Sequence, residues 1–143
     1  MSTSIIIVNH NTGSILLDCI RSVFKFEKSS GIEIIIIDNY SADNSKEIIT
    51  KLSAEYNNVK YEFTNSLISF SAANNIGIKQ ASGEYLLIMN PDIIFTEPVF
   101  EKLIADLKND VSIGAISPAL VGTDGYFQRN YFQRYPSIRQ FIY

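Results

Sequence analysis

Two short stretches of this chain are almost solid isoleucine: residues 4–8 read SIIIV and residues 32–38 read IEIIIID. A strand with one face in water alternates apolar and polar residues. Unbroken β-branched runs mark strands covered on both faces, the situation inside a parallel sheet. Parallel neighbours cannot be joined by a tight turn, so a crossover, usually a helix, must follow each strand. The sequence supplies them. After residues 4–8, Ile15, Leu16, Cys19, Ile20, Val23 and Phe24 recur at helical spacing. After residues 32–38 comes a second helix carrying Ile48, Ile49, Leu52 and Tyr56, with Ser41 or Asp43 available to cap it.

The rhythm continues. Residues 59–63, VKYEF, alternate and read as a half-covered strand nearer an edge. A short helix is expected over about residues 71–81, stopped by Gly83. A strand then spans residues 84–89, and Pro98 stands near the first turn of a helix carrying Phe100, Leu103, Ile104 and Leu107. Residues 113–120, IGAISPAL, read as a further strand, and Thr123-Asp124-Gly125 as a hairpin turn. Strand–helix alternation of this kind builds right-handed βαβ units, so the fold class is α/β, a Rossmann-like, mostly parallel sheet flanked by helices. At 143 residues and 46% hydrophobic, the chain is expected to form one domain with a real core.

Polar residues fall where these strands end: Asn9-His10-Asn11, Asp38-Asn39, Thr64-Asn65-Ser66 and Asn90-Pro91-Asp92. In a parallel sheet all four ends lie along one edge, and open α/β sheets bind ligands at that edge, where the strand order reverses. Composition narrows the ligand. A net charge of -3 with mixed signs argues against nucleic acid. The single cysteine, Cys19, and the single histidine, His10, exclude an internal disulfide and Cys/His metal clusters, and Cys19 is expected to be a small buried group. No leader or membrane span is read, so a cytoplasmic location is expected. Neither G-x-G-x-x-G nor the P-loop motif is present. What remains is Asp38 and Asp92 among amides and hydroxyls. One carboxylate can accept from a nucleobase imide or a ribose hydroxyl. A second, with water and phosphate oxygens, suits Mg²⁺ or Mn²⁺. A nucleoside diphosphate fits both. Asn90-Pro91-Asp92 also has the composition of a plain turn.

In this order the segments SIIIVNHNTGSILLDCIRSV, IEIIIIDNYSADNS, FSAANNIGIKQASGEYLLIMNPDI and GAISPALVGTDGYFQ resemble the family 2 glycosyltransferases, with rhamnosyltransferase-like members nearest in flavour. The resemblance covers nearly the whole chain and implies the GT-A nucleotide-sugar fold, present here as part of a longer protein. It implies an inverting transfer from a UDP- or dTDP-sugar to a saccharide or lipid-linked acceptor, in cell-surface polysaccharide synthesis, with peripheral membrane association of the full-length protein. Asn9 and Asn11 would shape the base pocket. His10 stands where the family has an aromatic ring, either stacking on the base or filling the loop. Asp38 would accept the pyrimidine N3–H, with Ser41 beside it. Asn74, Asn75 and Gly77 match the loop near sugar and diphosphate, although helix-end hydrogen bonding explains the two amides as simply. Asn90 and Asp92 match the metal motif, with Asp92 on the ion.

The resemblance also places the general base and most of the acceptor pocket beyond residue 143; Glu97, Glu101, Asp106 and Asp124 do not follow a segment that encloses a sugar. Arg129, Arg134 and Arg139 lie among aromatics in the last stretch, either to meet a phosphate-bearing acceptor or to be covered by further chain. A non-catalytic nucleotide-binding module and a sugar-phosphate nucleotidyltransferase are the alternatives, the latter weakened by the absence of a glycine-rich first loop.

Overall fold

The computed structural model describes residues 2–28 and 31–128; Arg129, Arg134 and Arg139 lie outside the described residues. The chain divides into two compact units, residues 1–98 and residues 99–143. In the first, β1 (Thr3–Asn9), β2 (Ile32–Asp38), β3 (Val59–Phe63) and β4 (Tyr85–Met89) alternate with α1 (Gly13–Phe26), α2 (Ser45–Glu55) and α3 (Phe70–Gln80). The sheet runs β3-β2-β1-β4, every pair parallel. From β1 the chain steps outward through β2 to β3, then returns to the far side of β1 for β4. The order therefore reverses between β1 and β4, the switch point of the fold.

The isoleucine runs occupy the two central strands, and Ile5, Ile6, Ile7, Ile34, Ile35, Ile36 and Ile37 are all fully buried. Residues of alternating parity serve opposite faces. Val8, Ile35 and Ile37 pack with Ala73 of α3 on one face. α1 and α2 contact each other, as two successive crossovers stepping in the same direction must, and so cover the other face. β3 is the outer strand the alternation predicts, buried at Val59 and exposed from Lys60 to Glu62.

Helix ends depart from expectation for local reasons. α3 starts at Phe70 because the Ser69 hydroxyl caps it, accepting from Ala72 N at 3.2 Å. Neither Ser41 nor Asp43 is the N-cap of α2. Asn44 holds that position without a side-chain bond, while Asp43 Oδ1 accepts from Ser45 N at 3.0 Å and Ser41 is committed elsewhere. Among the described residues no helix is long and apolar enough to cross a membrane.

The second unit contains α4 (Phe100–Asn109), entered just after Pro98 and Val99. The expected turn is present: Gly125 takes φ +80, and Val121 bridges antiparallel to Phe127 across it. Residues 113–120 do not form the expected strand. A strand needs a ladder beside it, and Pro118 has no N–H to give one.

Candidate functional site

Asn9 and Asp38 are register partners at the ends of β1 and β2, and both side chains are fully buried. Two polar groups placed there must satisfy each other. Asn9 Nδ2 donates to Asp38 Oδ1 at 2.8 Å, and the Ser41 hydroxyl donates to the same oxygen at 2.6 Å. Ser41 N reaches Asp38 Oδ2 at 3.2 Å. Asn9 Oδ1 accepts from the Thr12 hydroxyl at 2.7 Å, which ties the start of α1 to the same knot. Asp38 thus has no exposed surface, and the expected direct contact with a base is not open to its side chain as it stands. Its visible work is to hold the loops after β1 and β2 together.

Those loops are locked further by Asn11, which sits in the left-handed region at φ 55, a conformation that asparagine tolerates. Its N–H donates to the Ser41 hydroxyl at 2.9 Å and its Oδ1 accepts from Ala42 N at 2.7 Å. Its Nδ2 lies 3.2 Å from His10 Nε2, and His10 Nδ1 lies 2.8 Å from Asn39 O. A carbonyl only accepts, so these bonds assign the neutral Nδ1–H tautomer to His10, with Nε2 accepting from Asn11. Asn39 clamps the next loop: its amide exchanges two bonds of 2.9 Å with the backbone N–H and carbonyl of Ile68. Asp43 spans two helix starts, accepting from Gly13 N at 3.2 Å and Ser45 N at 3.0 Å. Burial would raise its carboxyl, but bonds from Ser45 and the Gly13 N–H carry it below the ordinary value. Sequence reasoning missed Asn39 and Thr12 as supports. Their only signal was that they are polar and sit beside the strand ends.

α3 brings up Asn74 and Asn75. Asn75 is exposed. Asn74 is 5% exposed and its Nδ2 donates to Phe70 O at 2.9 Å, the helix-end bond that the plain reading anticipated. Its Oδ1 has no partner among the described residues. Phe70 O can only accept, so the amide cannot be flipped, and a buried acceptor stays open on the flank Asn74 shares with Gly77. Gly77 itself faces the sheet: a Cβ there would lie 2.6 Å from Ile6 Cγ2. Ile6 is three residues short of Asn9, roughly 10 Å along the strand. The structure therefore takes Gly77 away from the ligand edge and gives it a packing role.

Past β4, Asn90-Pro91-Asp92-Ile93 closes a turn, with Ile93 N reaching Asn90 O at 3.4 Å and Pro91 at the position turns favour. The turn is strapped to α1. Cys19 Sγ lies 3.9 Å from Asn90 O, and the Ser22 hydroxyl accepts from Phe95 N at 2.9 Å. Burial pushes the Cys19 thiol up to about 12, with the charge of Asp92 adding to it, so Cys19 is the inert packed group expected. Asn90 and Asp92 are both exposed. Among the described residues no three His, Cys, Asp or Glu side chains gather into a group that could hold a metal. The donor set therefore fits only an ion that completes its shell with water and substrate oxygens, as Mg²⁺ and Mn²⁺ do.

Comparison with known proteins bears on the family and the fold. Residues 4–142 match the glycosyl transferase family 2. Glycosyltransferase GlyG of Streptococcus pneumoniae serotype 4 is 33% identical over 114 residues, covering 78% of this chain and 38% of GlyG. Staphylococcus aureus TarS 1-349, solved in complex with UDP-GlcNAc, superimposes with a TM-score of 0.66 at 20% identity, over 76% of this chain and 32% of that one. The Pyrobaculum calidifontis mannosyltransferase PcManGT, solved with GDP-Man and Mn²⁺, gives 0.65 at 12% identity, over 78% and 32%. The chain spans well under half the length of each. A parallel sheet of order β3-β2-β1-β4 flanked by helices, with these neighbours, is the GT-A fold, and the chain belongs to glycosyl transferase family 2.

Proposed function

We propose that this chain carries the donor half of an inverting glycosyltransferase and binds a pyrimidine nucleoside-diphosphate sugar, UDP- or dTDP-linked, along the carboxyl edge of the sheet. The observation that carries this reading is the convergence at that edge of Asn9, His10, Asn11, Asp38 and Ser41 in one hydrogen-bonded knot, with exposed Asp92 at the end of β4. The base lies against the loops after β1 and β2. Its imide N–H is accepted by Asp38 Oδ2 once the Ser41 N–H bond gives way, a donor that adenine lacks. The open Asn74 Oδ1 needs a donor, which a sugar or ribose hydroxyl supplies and a diphosphate oxygen does not. Asp92 would hold Mg²⁺ or Mn²⁺, with Asn90 nearby, and the ion would supply positive charge against the leaving diphosphate. TarS with UDP-GlcNAc and PcManGT with Mn²⁺ support the donor class and the ion.

In the transfer, an acceptor hydroxyl attacks the anomeric carbon, the bond to the diphosphate breaks, and the hydroxyl proton passes to a base. We place that base, and the pocket for a saccharide or lipid-linked acceptor, outside residues 1–143. Thermal-shift measurement with UDP-, dTDP-, ADP- and GDP-sugars, each with and without Mn²⁺, tests the reading. At a hundred times the Kd a bound donor adds about 2.7 kcal/mol of stability. UDP- or dTDP-sugars with Mn²⁺ should raise Tm by several degrees. No shift with any of them, or a larger one with ADP-sugars, refutes it.

A further inference from the structure

Tyr40 is out of place on conformational grounds. It sits between Asp38 and Ser41 at φ 61, a region where bulky residues are rare and where glycine or asparagine rests without strain. The conformation is imposed from both sides. Tyr40 N donates to Asp38 O at 3.0 Å, the Ser41 hydroxyl is held on Asp38 Oδ1 at 2.6 Å, and Asn39 is clamped to Ile68. The backbone there asks for glycine, yet the chain carries an aromatic residue that is 56% exposed. The core gains little from a ring left in water. The peptide that joins Asn39 to Tyr40 also carries the carbonyl to which His10 Nδ1 is bonded, so two exposed rings flank one peptide unit at the ligand edge.

We infer that Tyr40 is a base-stacking residue that, with His10, grips the nucleobase of the donor; this rests on the nucleotide reading above. A planar ring held on a strained and over-determined turn is pre-organised, so little rotamer freedom is lost when a base meets it. Nothing in the hydrogen-bond pattern needs a side chain at this position: every bond Tyr40 makes to hold the turn uses its backbone.

That separation gives the test. UDP and inorganic pyrophosphate, each with Mn²⁺, are titrated calorimetrically into the full chain and its Tyr40→Gly and Tyr40→Phe variants, and Tm is recorded for each. Base–aromatic stacking is worth about 1–3 kcal/mol by alanine substitution, so Tyr40→Gly should weaken UDP at least about fivefold. Tyr40→Phe should stay within about twofold. Pyrophosphate affinity should be the same in all three, and Tm of Tyr40→Gly should not fall, since glycine adopts this φ freely. Equal UDP affinity in the unaltered chain and Tyr40→Gly overturns the inference alone, as does a matching loss of pyrophosphate affinity, which would mean that the ring only shapes the loop. Failure of the unaltered chain to bind UDP removes the nucleotide reading and this inference with it.

Discussion

Replacing Glu33 by Gln should destabilise the protein at neutral pH and flatten its acid sensitivity without touching the ligand edge. Glu33 stands near the start of β2, at the opposite end of the strand from Asp38, with a side chain only 12% exposed. Partial burial would push its carboxyl up. Bonds from Lys60, the Ser4 hydroxyl, and the N–H and hydroxyl of Ser82 overcome this and lower it from 4.5 to about 2. One carboxylate thereby joins β2 to β3, to β1 and to the turn before β4. A depression of that size corresponds to about 3 kcal/mol, reduced to about 2–3 because Lys60 is half exposed and screened by salt. The folded value lies below the unfolded one, so the stabilisation is present above about pH 4.5 and is lost as pH falls toward 2. Urea unfolding at pH 7, 5 and 3 reads it. Glu33→Gln should be less stable by about 2 kcal/mol at pH 7. The unaltered protein should lose about 2 kcal/mol more than the variant between pH 7 and pH 3. Parallel curves for the two proteins over that range would refute the reasoning.

Other substitutions separate packing from binding. Gly77→Ala sets a Cβ 2.6 Å from Ile6 Cγ2, and Ile6 has no room to retreat. Overpacking of about 1–3 kcal/mol, offset by about 1 kcal/mol of helix propensity, should lower the urea midpoint while UDP affinity changes less than twofold; an unchanged midpoint with lost affinity would return Gly77 to the site. Asp38→Asn confronts the Asn9 amide and the Ser41 N–H with one acceptor too few. It should cost about 1–3 kcal/mol in urea unfolding and abolish the preference for UDP over ADP; retention of that preference would remove Asp38 from base recognition. Residues 1–143 alone should turn over a nucleotide sugar no faster than slow hydrolysis, since a positioned base contributes about 10²–10⁴-fold. Acceptor transfer matching that of a longer version of the protein would place the base within this chain.

The central strands were legible because eight isoleucines in two runs admit no other burial, and the gathering of the polar strand ends on one edge followed because parallel strands put all their ends on one side. What stayed hidden lies in contacts between distant residues. Asp38 looked available because it ends a strand; that Asn9 and Ser41 enclose it appears only when residues 29 positions apart meet in register. The family resemblance carries Gly77 into the site together with Asn74 and Asn75, whereas its lack of a side chain answers to Ile6 across the helix–sheet interface. Asn90-Pro91-Asp92 was read either as a turn or as a metal motif. The backbone does form the turn, and the turn is what leaves Asp92 exposed at the edge. Residues 113–120 carry isoleucines that read as a strand, but among the described residues they join no sheet; Leu120 O only accepts from Gln128 N at 2.9 Å, across the adjoining turn.

The proposed donor site depends most directly on Asp92. Calorimetric titration of UDP into the unaltered protein and Asp92→Ala, each with Mn²⁺ and with the ion chelated, isolates what the carboxylate does. Mn²⁺ should tighten UDP binding to the unaltered protein, and Asp92→Ala should keep only the weaker, ion-independent affinity. Asp92→Asn should behave nearly as badly, because the ion is drawn by charge rather than shape. Full Mn²⁺-dependent affinity in Asp92→Ala would take the ion away from Asp92 and leave residues 90–93 as a turn and nothing more.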